Sequence, residues 1–200
     1  MRNAARPARA VLLAAAMALA GGGARAAGEV KSGPRVGERP LPFTSNMVTG
    51  PNRGKQFCYI CELKDEPAVL VFARRLDGAT GQLLRGLRDN IRELRKERFF
   101  AWAVFLTTPE TGAQTEQERQ VYTIVREQGA TELPVSVLGD PQGPPGYLVS
   151  PEAEVTFIAF RSGKVLYNRA FRSTEWNGRT AAGLLKEIPK VFGLKPAGKG

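Results

Sequence analysis

Two continuous apolar runs dominate the middle of the chain, Ala68-Val69-Leu70-Val71-Phe72-Ala73 and Phe99-Phe100-Ala101-Trp102-Ala103-Val104-Phe105-Leu106. Each is short and almost wholly apolar, with β-branched or aromatic side chains, the pattern of a strand buried on both faces. Between them Leu83, Leu84, Leu87, Ile91 and Leu94 recur at helical spacing, and Arg85, Arg88, Arg92 and Arg95 cover the opposite side. The interleaved acids suggest a solvated face with i,i+4 pairs such as Arg85–Asp89. A buried strand, an amphipathic helix and a second buried strand favour parallel neighbours joined by a right-handed crossover.

The alternation continues. Thr115 and Glu118 read as a capping box opening a helix that turns Val121, Tyr122, Ile124 and Val125 inward, and Gly129 is placed to end it. Val135 to Leu138 is a short strand. Val155 to Phe160 and Lys164 to Asn168 form a hairpin across Arg161-Ser162-Gly163. A last helix carries Leu184, Leu185 and Ile188 until Pro189 kinks or stops it. Tyr147, Trp102 and Trp176 read as core or edge aromatics, and Asp140 to Gly146 as a rigid turn-rich connector. The expected fold is α/β, a three-layer sandwich around a mixed, mainly parallel sheet with an antiparallel edge.

The first residues follow different rules. Arg2, Arg6 and Arg9 precede an apolar run from Ala10 to Ala20, then three glycines and Ala24-Arg25-Ala26. That is the layout of a secretory signal peptide cleaved before Ala27, and the run is shorter than the ~20 residues of a membrane span. No Cys follows it for lipid attachment, and no twin-Arg pair precedes it. The expected division is therefore 1–26 signal peptide, 27–40 a Gly- and charge-rich flexible lead-in, 41–193 the folded domain and 194–200 a frayed tail. The product is expected outside the cytosol, periplasmic or extracellular. Cleavage lowers the formal charge of +10 by four, leaving a mildly basic chain whose charge serves solubility or, alternatively, meets an anionic surface such as envelope lipid or polysaccharide. Nucleic acid is not an expected partner.

Composition narrows the chemistry. With no His and only two Cys, the chain holds no His-based triad, no His-ligated zinc or haem and no self-contained four-cysteine metal site. No cofactor motif, phosphate loop or nucleophile elbow is present. The chemistry-bearing pair is Cys58-Tyr59-Ile60-Cys61, and export places it where disulfides persist.

The order of elements, together with this CxxC, resembles the thioredoxin fold, and more closely its redoxin branch of thiol peroxidases and periplasmic thiol–disulfide proteins. Four stretches between Val36 and Phe192 carry the resemblance: Val36-Gly37 with Pro42-Phe43; Pro67 to Phe72; Leu133-Pro134-Val135-Ser136-Val137-Leu138-Gly139-Asp140; and Thr156-Phe157-Ile158 followed by Gly163-Lys164-Val165. The resemblance implies an N-terminal hairpin and a thioredoxin-like domain. It also implies a reactive Cys after the first core strand, where the next helix begins, and a cis-Pro just before the Thr156-Phe157 strand. Here the first place holds Arg74-Arg75-Leu76-Asp77-Gly78-Ala79 and the second holds Glu154, with Pro151 the nearest proline.

In that layout Cys58 and Cys61 precede the first core strand, about 20 Å from its far end at ~3.3 Å per residue. Lys55 and Lys64 would favour a thiolate there, and Glu62 and Asp65 would oppose it. Three uses of the pair stay open: redox exchange with a protein disulfide substrate or redox partner, a structural disulfide in a non-catalytic binding module, or metal binding shared with a partner. By analogy with other CxxC pairs, Cys58 would attack and Cys61 would resolve. Glu62 after Cys61 excludes a CxxCH haem attachment.

Overall fold

The structure is a computed structural model, and it describes residues 29–63, 65–108 and 113–194. Residues 1–26 (the expected signal peptide), the first two residues of the expected lead-in, Lys64 and residues 195–200 of the expected tail lie outside the described residues. Seven strands form one sheet: β1 (Ser45–Met47), β2 (Gln56–Phe57), β3 (Ala68–Ala73), β4 (Phe100–Leu106), β5 (Val135–Leu138), β6 (Val155–Arg161) and β7 (Lys164–Phe171). The helices are α1 (Tyr59–Glu62), α2 (Gly78–Glu93), α3 (Ala113–Glu127) and α4 (Gly178–Phe192).

The strand order is β2-β1-β5-β4-β3-β6-β7. β3, β4 and β5 are parallel, as the crossover pattern demands, and β1 and β2 form the N-terminal hairpin. The parallel share is smaller than alternation alone suggests. β6 lies antiparallel against the free side of β3, and β1 antiparallel against β5. "Mainly parallel" therefore holds only for the middle three strands, because hairpins extend the sheet on both sides.

Sequence parity decides the two faces. Val69, Val71 and Ala73 meet Leu83, Leu84 and Leu87 of α2, Val121 and Val125 of α3, and Leu184 and Ile188 of α4. Ala68, Leu70 and Phe72 face the other way, onto Tyr59, Trp102, Tyr147 and Val149. That second face is covered by the single turn α1 and by irregular chain, so the third layer is thin. α2 and α4 cross closely at Gly86, where a Cβ would run into the Leu185 side chain.

Several local expectations are revised. α3 begins at Ala113, which puts Thr115 inside its first turn and not at a cap. α4 runs through Pro189 to Phe192 and ends at Gly193 in the left-handed conformation. The arginines of α2 reach sideways to the α3–β5 connection: Arg85 donates to Gln128, Arg88 to the Gly129 carbonyl, and Arg92 to Glu132. Asp89 pairs with Arg88 at 2.6 Å, not with Arg85. Ser162 and Gly163, with φ of 52° and 65°, make the tight β6–β7 turn, which needs positive φ at both positions.

Residues 29–40, read from composition as flexible, are tied along the β7 side of the sheet. Ser32 Oγ lies 2.6 Å from Thr156 Oγ1, and Asn168 Nδ2 donates to the Ser32 and Pro34 carbonyls. Gly37 N donates to the Val165 carbonyl, and Val165 N to the Glu38 carbonyl. This strap covers an edge strand whose unpaired backbone groups would otherwise invite association.

Candidate active site

Cys58 and Cys61 are joined as a disulfide with Cα atoms 5.4 Å apart. The pair bounds α1, one helical turn between β2 and β3. Cys58 is its extended N-cap residue, and the Cys61 amide donates to Cys58 Sγ at 3.2 Å. The turn is anchored from inside. The Tyr59 ring packs against Phe57, Phe100 and Trp102, with centroids 4.8, 4.7 and 5.6 Å away. Its hydroxyl accepts from Asn52 Nδ2 at 3.4 Å. Burial raises the Tyr59 pKa, and the Asn52 hydrogen bond only partly offsets it.

With Tyr59 pointing in, the flanking cysteines sit at the surface, and not equally. Cys61 is exposed, whereas Cys58 is half-buried. The analogy that makes Cys58 the attacking thiol carries no information about this difference. Lys55, Glu62 and Asp65 are exposed around the turn. Both sulfurs are bonded to each other, and among the described residues no group of three or more Cys, Asp or Glu side chains converges as a metal site would require. Among the same residues no helix is long and apolar enough to cross a membrane.

The opposite end of β3 is built without sulfur. Asp77 caps α2, its carboxylate accepting from Thr80 N at 2.8 Å. A carboxylate thus takes the helix N-terminus that in the resembling proteins favours a thiolate. The Arg74 guanidinium donates to the carbonyls of Ala153, Pro141 and Ser150 at 2.9, 2.7 and 3.0 Å. Partial burial lowers its pKa, and Glu154 works against that shift. Glu154, only 8% exposed, is paired with Arg75 at 3.1 Å, and its carbonyl accepts from Arg74 N. No peptide bond among the described residues is cis.

These contacts were not read from the sequence. Asp77 ahead of Gly78 and Thr80 is a recognisable cap signal, but nothing local announces that Arg74 will bind carbonyls some seventy residues away.

No family model matches the chain, and no curated protein matches it. Solved structures do. A candidate protein disulfide isomerase from Bacteroides thetaiotaomicron superposes with a TM-score of 0.58 at 18% identity, covering 81% of this chain and 94% of that one. A candidate thiol:disulfide interchange protein DsbE from Chlorobium tepidum gives 0.55 at 18% identity, covering 78% and 97%. Peroxidoxin BcpB from Mycobacterium tuberculosis gives 0.52 at 17% identity, also covering 78% and 97%. At these identities the likeness concerns the fold: the chain has a thioredoxin-like fold, with a CxxC ahead of its first core strand and none after it.

Proposed function

We propose that the protein is an exported thiol–disulfide exchange protein that works through Cys58 and Cys61, in the periplasm or outside the cell. The observation that carries this is the placement of the pair. A surface disulfide on a single turn, anchored by a buried Tyr59 and with Cys61 exposed, is reachable by an incoming thiolate. The sequence of residues 1–26 supports export, and the likeness to thiol–disulfide proteins supports the chemistry. Redoxin-like antioxidant activity would run through the same two sulfurs. The partner is a dithiol or disulfide on a protein or small molecule.

A second use has its own support. The thiol-free, ion-paired far end of β3 suits a thioredoxin-like binding module in which the disulfide only holds the α1 turn. The reduction potential separates the two. An exchange pair should lie between about −120 and −270 mV, and a structural one below about −300 mV. A potential in the lower range would end the exchange proposal.

A further inference from the structure

We infer that the incoming thiolate attacks Cys61, not Cys58, so that the polarity of this CxxC is the reverse of the one analogy assigns. The inference rests on the exchange function proposed above and concerns which sulfur does what. Disulfide exchange needs an attacked sulfur that can be approached in line with the bond that breaks, and a leaving sulfur that can carry negative charge. The structure divides those requirements between the two cysteines. Cys61 is the exposed one. Cys58 is half-buried, and its sulfur already accepts the Cys61 amide at 3.2 Å. An amide donor aimed at a sulfur stabilises the thiolate form, and a better-stabilised thiolate leaves faster. The Tyr59 anchor fixes this asymmetry. With its ring held among Phe57, Phe100 and Trp102, the turn cannot rotate Cys58 outward without unpacking that cluster.

The step balances as follows. A substrate thiolate attacks Cys61 Sγ. A substrate–Cys61 disulfide forms, the Cys58–Cys61 bond breaks, and its electron pair stays on Cys58 Sγ, facing the Cys61 amide. The second substrate thiol, deprotonated, then attacks the substrate sulfur of the mixed disulfide. The substrate disulfide closes, and Cys61 leaves as thiolate and takes a proton from water. The dithiol has lost two electrons and the pair has gained them. In the reductive direction the same states run backwards, with Cys61 attacking and Cys58 resolving.

The test uses the oxidised wild-type protein with glutathione as the incoming thiol. The reaction is stopped with acid at early times, and the freed cysteine is then alkylated in denaturant. Tandem mass spectrometry of the peptide carrying both cysteines reads where glutathione sits. Glutathione should be on Cys61 and the alkyl group on Cys58, in an excess of roughly tenfold, equivalent to about 1.4 kcal/mol between the two transition states. A second arm alkylates the reduced protein across a pH series. Cys58 should titrate at the lower pH, while Cys61 should show the higher limiting rate once both are ionised. Glutathione on Cys58, or evenly on both, would overturn the inference while leaving exchange intact. No adduct at either cysteine would overturn exchange itself, and the inference with it.

Discussion

The two ends of β3 face different tasks. At its start the chain leaves a disulfide on the surface, on a turn held by one tyrosine. At its end a fixed arginine donates to three carbonyls, an aspartate caps a helix, and a glutamate is buried against a second arginine. In the proteins this chain resembles, the reactive thiol belongs to the second end, where a helix N-terminus lowers its pKa. Here that position is spent on stability. Charged groups held by several hydrogen bonds and an ion pair favour one conformation, whereas a pair that exchanges disulfides would have to pass between bonded and free states. The comparison teaches that a thioredoxin-like sheet can carry its cysteines and its helix N-terminus at opposite ends, with a local amide taking over as sulfur ligand.

Five predictions press on this contrast. The largest effect concerns activity. Cys58→Ser and Cys61→Ser should each abolish disulfide exchange, measured as reduction of a model disulfide, whereas Arg75→Ala at the far end should leave it unchanged. Loss of exchange in Arg75→Ala alone would put the chemistry at the wrong end.

Next is Arg74→Ala. It strands three carbonyls and removes a partly buried charge-assisted donor, and should cost about 3 kcal/mol in urea unfolding. The CxxC potential should stay as in the wild type. Opening the Cys58–Cys61 disulfide should cost less. The ring is short, so the chain-entropy effect is about 2 kcal/mol, read as the difference between oxidised and reduced protein in the same titration.

A smaller effect compares a tyrosine from each end. Burial pushes the Tyr147 phenol far above its ordinary value, and raises Tyr59 as well. The folded state therefore keeps protons that the unfolded chain releases above about pH 10. Stability from these groups is fully present below that pH and is lost as pH rises beyond it, by up to about 1.4 kcal/mol per pH unit for each group. Tyr147→Phe should flatten this alkaline slope more than Tyr59→Phe, because Tyr147 is shifted further. At neutral pH, Tyr147→Phe should itself cost about 1 kcal/mol through the lost bond to the Leu41 carbonyl. Equal slopes in both variants would contradict the difference in burial.

The smallest effect is that of Arg75→Ala on stability, about 1 kcal/mol or less by urea titration. Arg75 is 59% exposed, so water screens its pairing with Glu154.

Local spacing was enough to fix most elements. The apolar run at Ala68 to Ala73 is β3, the leucines from Leu83 to Leu87 face the core from α2, and Ser162-Gly163 makes the hairpin turn. These depend on neighbours a few residues apart, and periodicity records such neighbours directly. The CxxC and its ring closure were legible for the same reason, since three residues of spacing suffice to close it. Partners far along the chain were not legible. Nothing near Arg74 names Pro141 or Ser150, nothing near Ser32 names Thr156, and residues 32–38 read as flexible until β7 offers them hydrogen bonds. Nor could spacing tell which cysteine faces water. That was decided when Tyr59 found Phe100 and Trp102, because a side chain's burial depends on which distant surface packs over it, and packing is settled only in three dimensions.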